Sequence, residues 1–394
     1  MYTEKIKSIS SDIINKIVSI RRDLHMHPEL GFNEHRTASI IAGHLEKLGL
    51  KVCRNIAGTG VTGLIEGKNP GKTIAIRADM DALPIQEQNK AEYASTNGGI
   101  MHACGHDAHV AIALGTAEIL SNFRNTLNGN IKFIFQPAEE GLGGAKFMVD
   151  EGVLENPSVD RIIALHVSPG LKTGVISVGE GPVMASPSEF EIVIKGKGGH
   201  AAEPHKSIDP IIIGSNIVNM FQTIVPKKLS PFKNALLSVT CFQAGNTFNI
   251  TPAEAIIKGT VRTYETNTDD LISDSMKAII SSICASMGAD FSFNYVKSYP
   301  PVINDSLVVG HIIEASEKIT GTDNIVINPE PSMLAEDFSY YVQKVPGALF
   351  NLGCTKPPVG NYHNLHSPRF DIDEACMSYG MEIMSQCALD FLFD

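Results

Sequence analysis

Three short apolar runs constrain this chain most, because each hands a charged or imidazole side chain to its own carboxyl end. TIAIRADMD (73–81) ends in Asp79 and Asp81, IKFIFQPAEE (131–140) ends in Glu139 and Glu140, and RIIALHV (161–167) delivers His166. Helical patterns at about 105–122 and 143–152 lie between them. The order strand–helix–strand–helix–strand predicts a mostly parallel sheet with crossover helices. Ligands of such sheets collect outside the carboxyl ends of the strands. Three donor-bearing ends in succession therefore point to one shared site.

The stretch MHACGHDAHV (101–110) adds three histidines, a cysteine and an aspartate in ten positions. Cys104 and His106 stand before AHVAIALGTAEIL, at a helix N-terminus, where the dipole favours a thiolate and a bound cation would favour it further. A small buried cysteine beside a hydrogen-bonded histidine explains the fragment equally well. Glu139 and Glu140, adjacent at a strand end, are expected to point in opposite directions, one toward a cation and one toward water. GLGG (141–144) follows and lets a backbone approach closely. An isolated Glu pair is usually a solvated loop, and a lone histidine such as His166 or His366 is usually structural. Taken together, Cys104, His106, Glu140, His166 and His366 offer donors for two divalent cations with a bridging ligand and an open position for water. Glu139 is then left as general base, and the combination hydrolyses amides.

Composition removes other classes. With 394 residues and 43% apolar content, the chain can bury a substantial core and is expected to form two domains. The net charge of −11 is spread along the chain without a Lys/Arg run or aromatic–basic alternation, which argues against a nucleic-acid partner. Ile6, Ile9, Ile13, Ile17, Ile20 and Leu24 have the spacing of an amphipathic helix, not of a signal peptide. No apolar run is long enough to cross a bilayer. Seven irregularly spaced cysteines read as free thiols in a reducing compartment, hence a cytoplasmic protein. From about residue 187 the texture becomes β-α-β-β-α-β, the split βαβ pattern. The expected layout is a catalytic α/β domain over 1–185 and 299–394, interrupted by a smaller domain over 186–298.

Several longer motifs carry a resemblance: RRDLHMHPELGFNE (21–34), IRADMDALPIQE (76–87), MHACGHDAHVA (101–111), IFQPAEEGLGGA (134–145), LHVSPGLKTG (165–174), GKGGHAAEPHKSIDP (196–210), AEDFSYY (335–341) and LHSPRFDIDE (365–374). In this order they resemble the M20 metallopeptidase family, and within it the amidohydrolase branch of hippurate hydrolases, N-acyl-amino-acid deacetylases and plant auxin-conjugate hydrolases. The resemblance implies a zinc-exopeptidase-like catalytic domain with a ferredoxin-like α+β lid, and a homodimer formed through that lid. It implies two divalent ions per subunit, Zn²⁺ or Mn²⁺ before Co²⁺ or Ni²⁺, held by Cys104, His106, Glu140, His166 and His366, with Glu139 as base. Asp81 would orient the metal-binding groups. His200 would reach a partner subunit's site and stabilise the oxyanion, and Asn249 and Arg262 would hold a substrate carboxylate. His363 competes with His366, and the HSPRF context favours the latter. His102, Asp107 and His109 match the branch's pattern and are read as supports behind the ligands or as purely structural, not as ligands; His25, His27, Glu29, Glu34 and His205 are expected to be structural.

The implied reaction is hydrolysis of an N-acyl-L-amino acid. A small-peptide carboxypeptidase or dipeptidase and an N-acetyl-diaminopimelate deacetylase are alternatives of the same chemistry. A thiol hydrolase with Cys104 as nucleophile leaves Glu139, Glu140 and His366 unexplained. A catalytically silent, metal-dependent binding protein would be expected to lack the base or a ligand, and neither is missing.

Overall fold

A computed structural model describes residues 2–360 and 362–393 of the chain. Two compact units emerge: Met1–Val183 with Ile303–Glu330 and Asp337–Asp394, and Met184–Val302 with Pro331–Glu336. The short 331–336 piece joins the second unit because the Ala185 amide donates to the carbonyls of Ser332 at 3.2 Å and Leu334 at 2.9 Å.

The first unit is built on an eight-stranded sheet. Its order is Lys51–Ile56, Gly60–Glu66, Asn128–Gln136, Asn69–Asp79, Arg161–Lys172, Gly347–Thr355, Ile176–Val178, Ile325–Ile327. The central strands run parallel, and Lys51–Ile56 and Gly60–Glu66 add an antiparallel edge. Residues 73–79 and 131–136 are buried throughout, as expected of strands covered on both faces.

Helix His106–Ser121 is apolar nearly all round and almost wholly buried, which marks a helix enclosed by protein on every side. The N-terminal helix Tyr2–Met26 buries Ile6, Ile17 and Leu24 as the isoleucine spacing predicts. It buries Arg21 and His25 as well. Ring stacking of Tyr2 on Phe393, centroids 4.8 Å apart, ties it to the last helix, Cys376–Phe393.

The second unit is a four-stranded antiparallel sheet ordered Ala235–Ala244, Glu254–Thr263, Ser186–Lys195, Asp290–Lys297, with helices Pro210–Phe221 and Thr266–Met287. Phe190, Ile192 and Ile194 alternate inward and pack with Ile213, Ile217, Ile272 and Met276 in a core of its own. Asp209 caps the first helix by accepting the Ile211 amide at 2.9 Å.

Candidate active site

Strand register sets the level of the site. Asp79 pairs with Gln136 and Arg77 with Ala164, so Asp79, Gln136 and His166, two residues past Ala164, share one rung at the carboxyl ends of the parallel strands. A buried charge network underlies that rung. Arg77 donates to Gln136 Oε1 at 2.8 Å, Asp79 Oδ2 at 2.5 Å and Asp337 Oδ1 at 3.0 Å. Burial opposes the charge on Asp79, but the Arg77 guanidinium, with His106 and His109, holds its carboxyl well below the usual range. His109 Nδ1 bonds Asp79 Oδ1 at 2.6 Å, and its Nε2 accepts the Val167 amide at 3.0 Å. Both ring nitrogens are committed, so His109 is a strut with no lone pair to spare.

His106 and His166 are set differently. His106 Nδ1 lies 2.9 Å from the Asp81 carbonyl, and His166 Nδ1 lies 2.8 Å from the Val167 carbonyl. A carbonyl oxygen only accepts, so each Nδ1 carries a proton, and Nε2 is the nitrogen left to offer a lone pair when the ring is neutral. His166 Nε2 faces Cys104 Sγ at 3.4 Å. His106 Nε2 is buried with no hydrogen-bond partner among the described residues. Imidazoles fixed through Nδ1 in this way present Nε2 ready for a cation.

The carboxylate pair departs from the sequence expectation. The strand stops at Gln136, and Ala138 turns the chain in the left-handed region at φ +55°, which breaks the two-residue alternation. Both carboxylates therefore converge: Glu139 Oε2 and Glu140 Oε1 each lie 4.0 Å from His106 Nε2. Asp81 grips this turn, its two oxygens accepting the amides of Glu139 and Glu140 at 3.0 Å each. The sequence GLGG works as expected, since a Cβ on Gly144 would lie 1.8 Å from the Pro137 carbonyl oxygen. The third strand also runs past His166, to Lys172, because Gly347–Thr355 continues to pair with it.

His366 arrives from the C-terminal segment with φ +64°, its amide donating to the Ala103 carbonyl at 2.8 Å and its Nε2 3.2 Å from Glu140 Oε1. His363 is exposed in the preceding loop. Among the described residues, five triplets have donor atoms within 4.8 Å of one another: Cys104, His106 and His166; Cys104, Glu140 and His366; His106, Glu139 and Glu140; Asp79, His106 and His109; and Glu139, Glu336 and Asp337. The structure thus brings Asp81, Cys104, His106, Glu139, Glu140, His166 and His366 together. Sulfur, imidazole and carboxylate in one cluster, with buried lone pairs turned inward, fit divalent first-row cations.

The field of the cluster favours positive charge. Burial, followed by the Glu140 carboxylate, pushes the Cys104 thiol well above its ordinary value. The helix begins at His106, just past Cys104, and a thiolate at its end needs a bound cation to offset this desolvation. The hydrogen bond to Glu140 raises His366. Burial works against the charge on Glu140, but His366 and His106 hold its carboxyl below the usual range.

His200, Asn249 and Arg262 belong to the second unit. His200 is exposed and pairs with Ile250, and the adjacent Ala201 amide donates to the Asn249 carbonyl at 3.0 Å. The His200 Nδ1 accepts the Ala202 amide at 3.1 Å, so the ring proton sits on Nε2. Arg262 lies on a different strand, directed to Thr260 Oγ1 and the Val261 carbonyl.

The sequence reading passed over Arg77, Gln136 and Asp337, although a charge inside the apolar run TIAIRAD requires a buried partner. Some of the histidines and acids kept out of the ligand set anchor local structure. His25 Nδ1 lies 2.8 Å from Asp107 Oδ2, and Glu29 accepts the amides of Arg36 and Thr37 at the start of helix His35–Lys47. Burial lowers His102 to about 3.

A model of the family described as Peptidase family M20/M25/M40 matches residues 75–390. The chain is 39% identical over 392 residues to thermostable carboxypeptidase 1 of Saccharolobus solfataricus, covering 98% of each chain. It is 44% identical over 305 residues to an N-acyl-L-amino acid amidohydrolase of Geobacillus stearothermophilus, covering 77% of this chain and 82% of that one. A solved dinuclear metal-binding peptidase of the M20 family from Bacillus subtilis matches the fold with a TM-score of 0.84 at 36% identity, covering 97% of this chain and 99% of that one. A match over most of the sequence, relatives at this identity and a shared fold lead to one conclusion: the chain belongs to peptidase family M20/M25/M40.

Proposed function

We propose that this chain is a metal-dependent amidohydrolase that cleaves the amide bond of N-acyl-L-amino acids. Cys104, His106, Glu140, His166 and His366 hold two divalent cations per subunit, zinc or manganese in first place and cobalt or nickel next. The observation that carries this reading is the pair of Nε2 lone pairs on His106 and His166, fixed by main-chain carbonyls and turned toward the thiol and two convergent carboxylates.

Two divalent cations, when bound, supply Lewis acidity that polarises the amide carbonyl and acidifies water. Glu139 takes the proton of the attacking water and passes it to the leaving nitrogen. Asp81 keeps that carboxylate in place through the two amides it accepts. His200, whose Nε2 carries its proton, is suited to donate to an oxyanion. We assign it to the site of a partner subunit, in a homodimer formed through the second unit. Asn249 and Arg262 are assigned to the substrate carboxylate.

A neutral, buried Cys104 thiol beside carboxylates disfavours the thiol-nucleophile reading. A second substrate reading, a small-peptide carboxypeptidase, is favoured by the name and full-length coverage of the Saccharolobus relative. No helix among the described residues is long and apolar enough to cross a membrane. The seven unpaired cysteines favour a cytoplasmic setting.

The test is turnover of N-acetyl and N-benzoyl amino acids, N-acetyl-diaminopimelate and dipeptides with added Mn²⁺ or Zn²⁺. Glu139→Gln should bind metal yet turn over at least about a hundredfold more slowly. Full activity after chelation would favour the thiol mechanism, and no turnover of any substrate would favour a silent binding protein. Inactive Glu139→Gln and His200→Ala subunits should regain partial activity when mixed and exchanged; mixed dimers without recovery would remove His200 from the site.

A further inference from the structure

Two motifs, GFNE (31–34) and AEDFSYY (335–341), have no part in the chemistry above, yet each sends one buried carboxylate to the loop that bears Glu139. Glu34 is fully buried; its Oε1 accepts the Ala138 amide at 2.9 Å and its Oε2 accepts the Thr59 hydroxyl at 2.5 Å. Asp337 is also fully buried; Oδ2 accepts the Ala145 amide at 2.9 Å, and both oxygens lie 2.9 Å from the Gln136 side-chain nitrogen. The last strand residue before the loop and an amide just after it are thus tied to one carboxylate. Between them the turn at Ala138 is left-handed, a conformation a non-glycine residue holds only when its surroundings impose it.

We propose that Glu34 and Asp337 are positioning residues that hold the Glu139 carboxylate at its working place by clamping the 137–143 loop. This rests on Glu139 being the base. Asp81 fixes the amides of Glu139 and Glu140, but Asp81 cannot fix the direction from which the loop enters and leaves. Glu34 fixes the entry at Ala138. Asp337 fixes the two ends at Gln136 and Ala145. The partners dictate which substitutions are tolerated. Thr59 is a hydroxyl, which can donate or accept, so a glutamine at 34 can keep both bonds with the hydroxyl reversed. Arg77, Gln136 and Ala145 all donate to Asp337, so an asparagine there gives up one acceptor and sets its NH₂ against at least one of these N–H groups.

The experiment compares Glu34→Met, Glu34→Gln, Asp337→Asn and Glu139→Gln in the metal-loaded enzyme, on the best substrate of the panel, after circular dichroism has shown each to be folded. A misplaced base lowers kcat by about 10- to 100-fold. That loss is expected in Glu34→Met and Asp337→Asn with KM within about twofold, whereas Glu34→Gln restores kcat to within about threefold of the parent. Folded Glu34→Met or Asp337→Asn with unchanged kcat would overturn the proposal. So would a folded Glu34→Gln whose kcat is about tenfold or more below the parent's, which decides the case even if the other two do not fold. An active Glu139→Gln would sink the base assignment itself, a result separate from these.

Discussion

Replacing Asp81 with asparagine tests how much of the cation affinity is set by a residue that need not touch a cation. The Asp81 carboxylate accepts two amides at 3.0 Å each, from Glu139 and Glu140. Asparagine has one oxygen, so whichever way the amide is turned, one main-chain N–H faces an NH₂. The bond that survives falls from charge-assisted to neutral, a loss of about 1 kcal/mol, and the stranded buried N–H costs about 2–3 kcal/mol more. The sum is about 3–4 kcal/mol. The contact from His106 Nδ1 to the Asp81 main-chain carbonyl is unaltered by the substitution, but the Asp81 carboxylate also lies 3.3 Å from that nitrogen, so the effect reaches His106 as well as the loop. Loss of such an orienting partner typically weakens metal affinity by about 10- to 100-fold, or about 1.4–2.7 kcal/mol. The remaining 1–2 kcal/mol or so should lower the Tm of the metal-free protein by about 1–3 °C. Competition with a chromogenic chelator reads the first quantity, and a melt in EDTA reads the second. A Zn²⁺ affinity within twofold of the parent together with an unchanged Tm would refute the reasoning.

Four further outcomes are expected. Gly105→Ala should destabilise the protein by about 2–4 kcal/mol in urea, since Gly105 has φ +90° and an added Cβ would lie 2.4 Å from Val167 Cγ2; a change below about 0.5 kcal/mol would contradict the packing. Arg77→Met leaves Asp79 and Asp337 buried without their shared cation, and a loss of about 3–5 kcal/mol is expected; stability equal to the parent's would show that the network contributes nothing. Burial opposes charge on His25, but Asp107 and then Glu87 raise it to about 9. Its folded value exceeds the unfolded 6.5 or so, so its contribution of about 3 kcal/mol is full below pH 6.5 and disappears as pH rises through 9. The stability gap between parent and His25→Gln should therefore shrink from pH 6 to pH 10, and a gap that widens would reverse the sign. Zn²⁺ at a hundredfold its Kd should stabilise the protein by about 2.7 kcal/mol; His166→Ala should lose most of that increment in a thermal melt, and an increment fully kept would remove His166 from the ligand set.

The chain order of donors was readable because each apolar run hands a polar group to the site, as Asp79 does at its strand's end and His166 does in a strand that continues to Lys172. The helix Tyr2–Met26 was readable for the same reason, its isoleucines repeating with the helical period. The convergence of Glu139 and Glu140 was not, since it depends on a left-handed Ala138 for which no local residue type is a signal. Nor was the state of Cys104 legible. Its neighbours in sequence suggest a helix end, whereas in space it is buried beside His166 and a carboxylate 36 positions away. Arg77, Gln136 and Asp337 meet across 260 positions, and local pattern carries no information on such a meeting. His109, which the sequence reading kept out of the ligand set, has both its nitrogens engaged, by Asp79 and by the Val167 amide.

The place of strand Gly347–Thr355, between Arg161–Lys172 and Ile176–Val178, bears on how the protein is made. During synthesis its neighbours leave the ribosome first, and the whole intervening unit must follow before the missing strand appears. At 5–20 residues per second the wait is roughly 10–35 s. Throughout it, the Arg161–Lys172 edge, which bears His166, has no partner, and an open edge invites pairing with another chain. Nascent copies are thus most prone to aggregate while the intervening unit, which has its own core, is already able to fold. Fast translation or a chaperone that shields strand edges should raise the soluble yield more than any substitution in that finished unit.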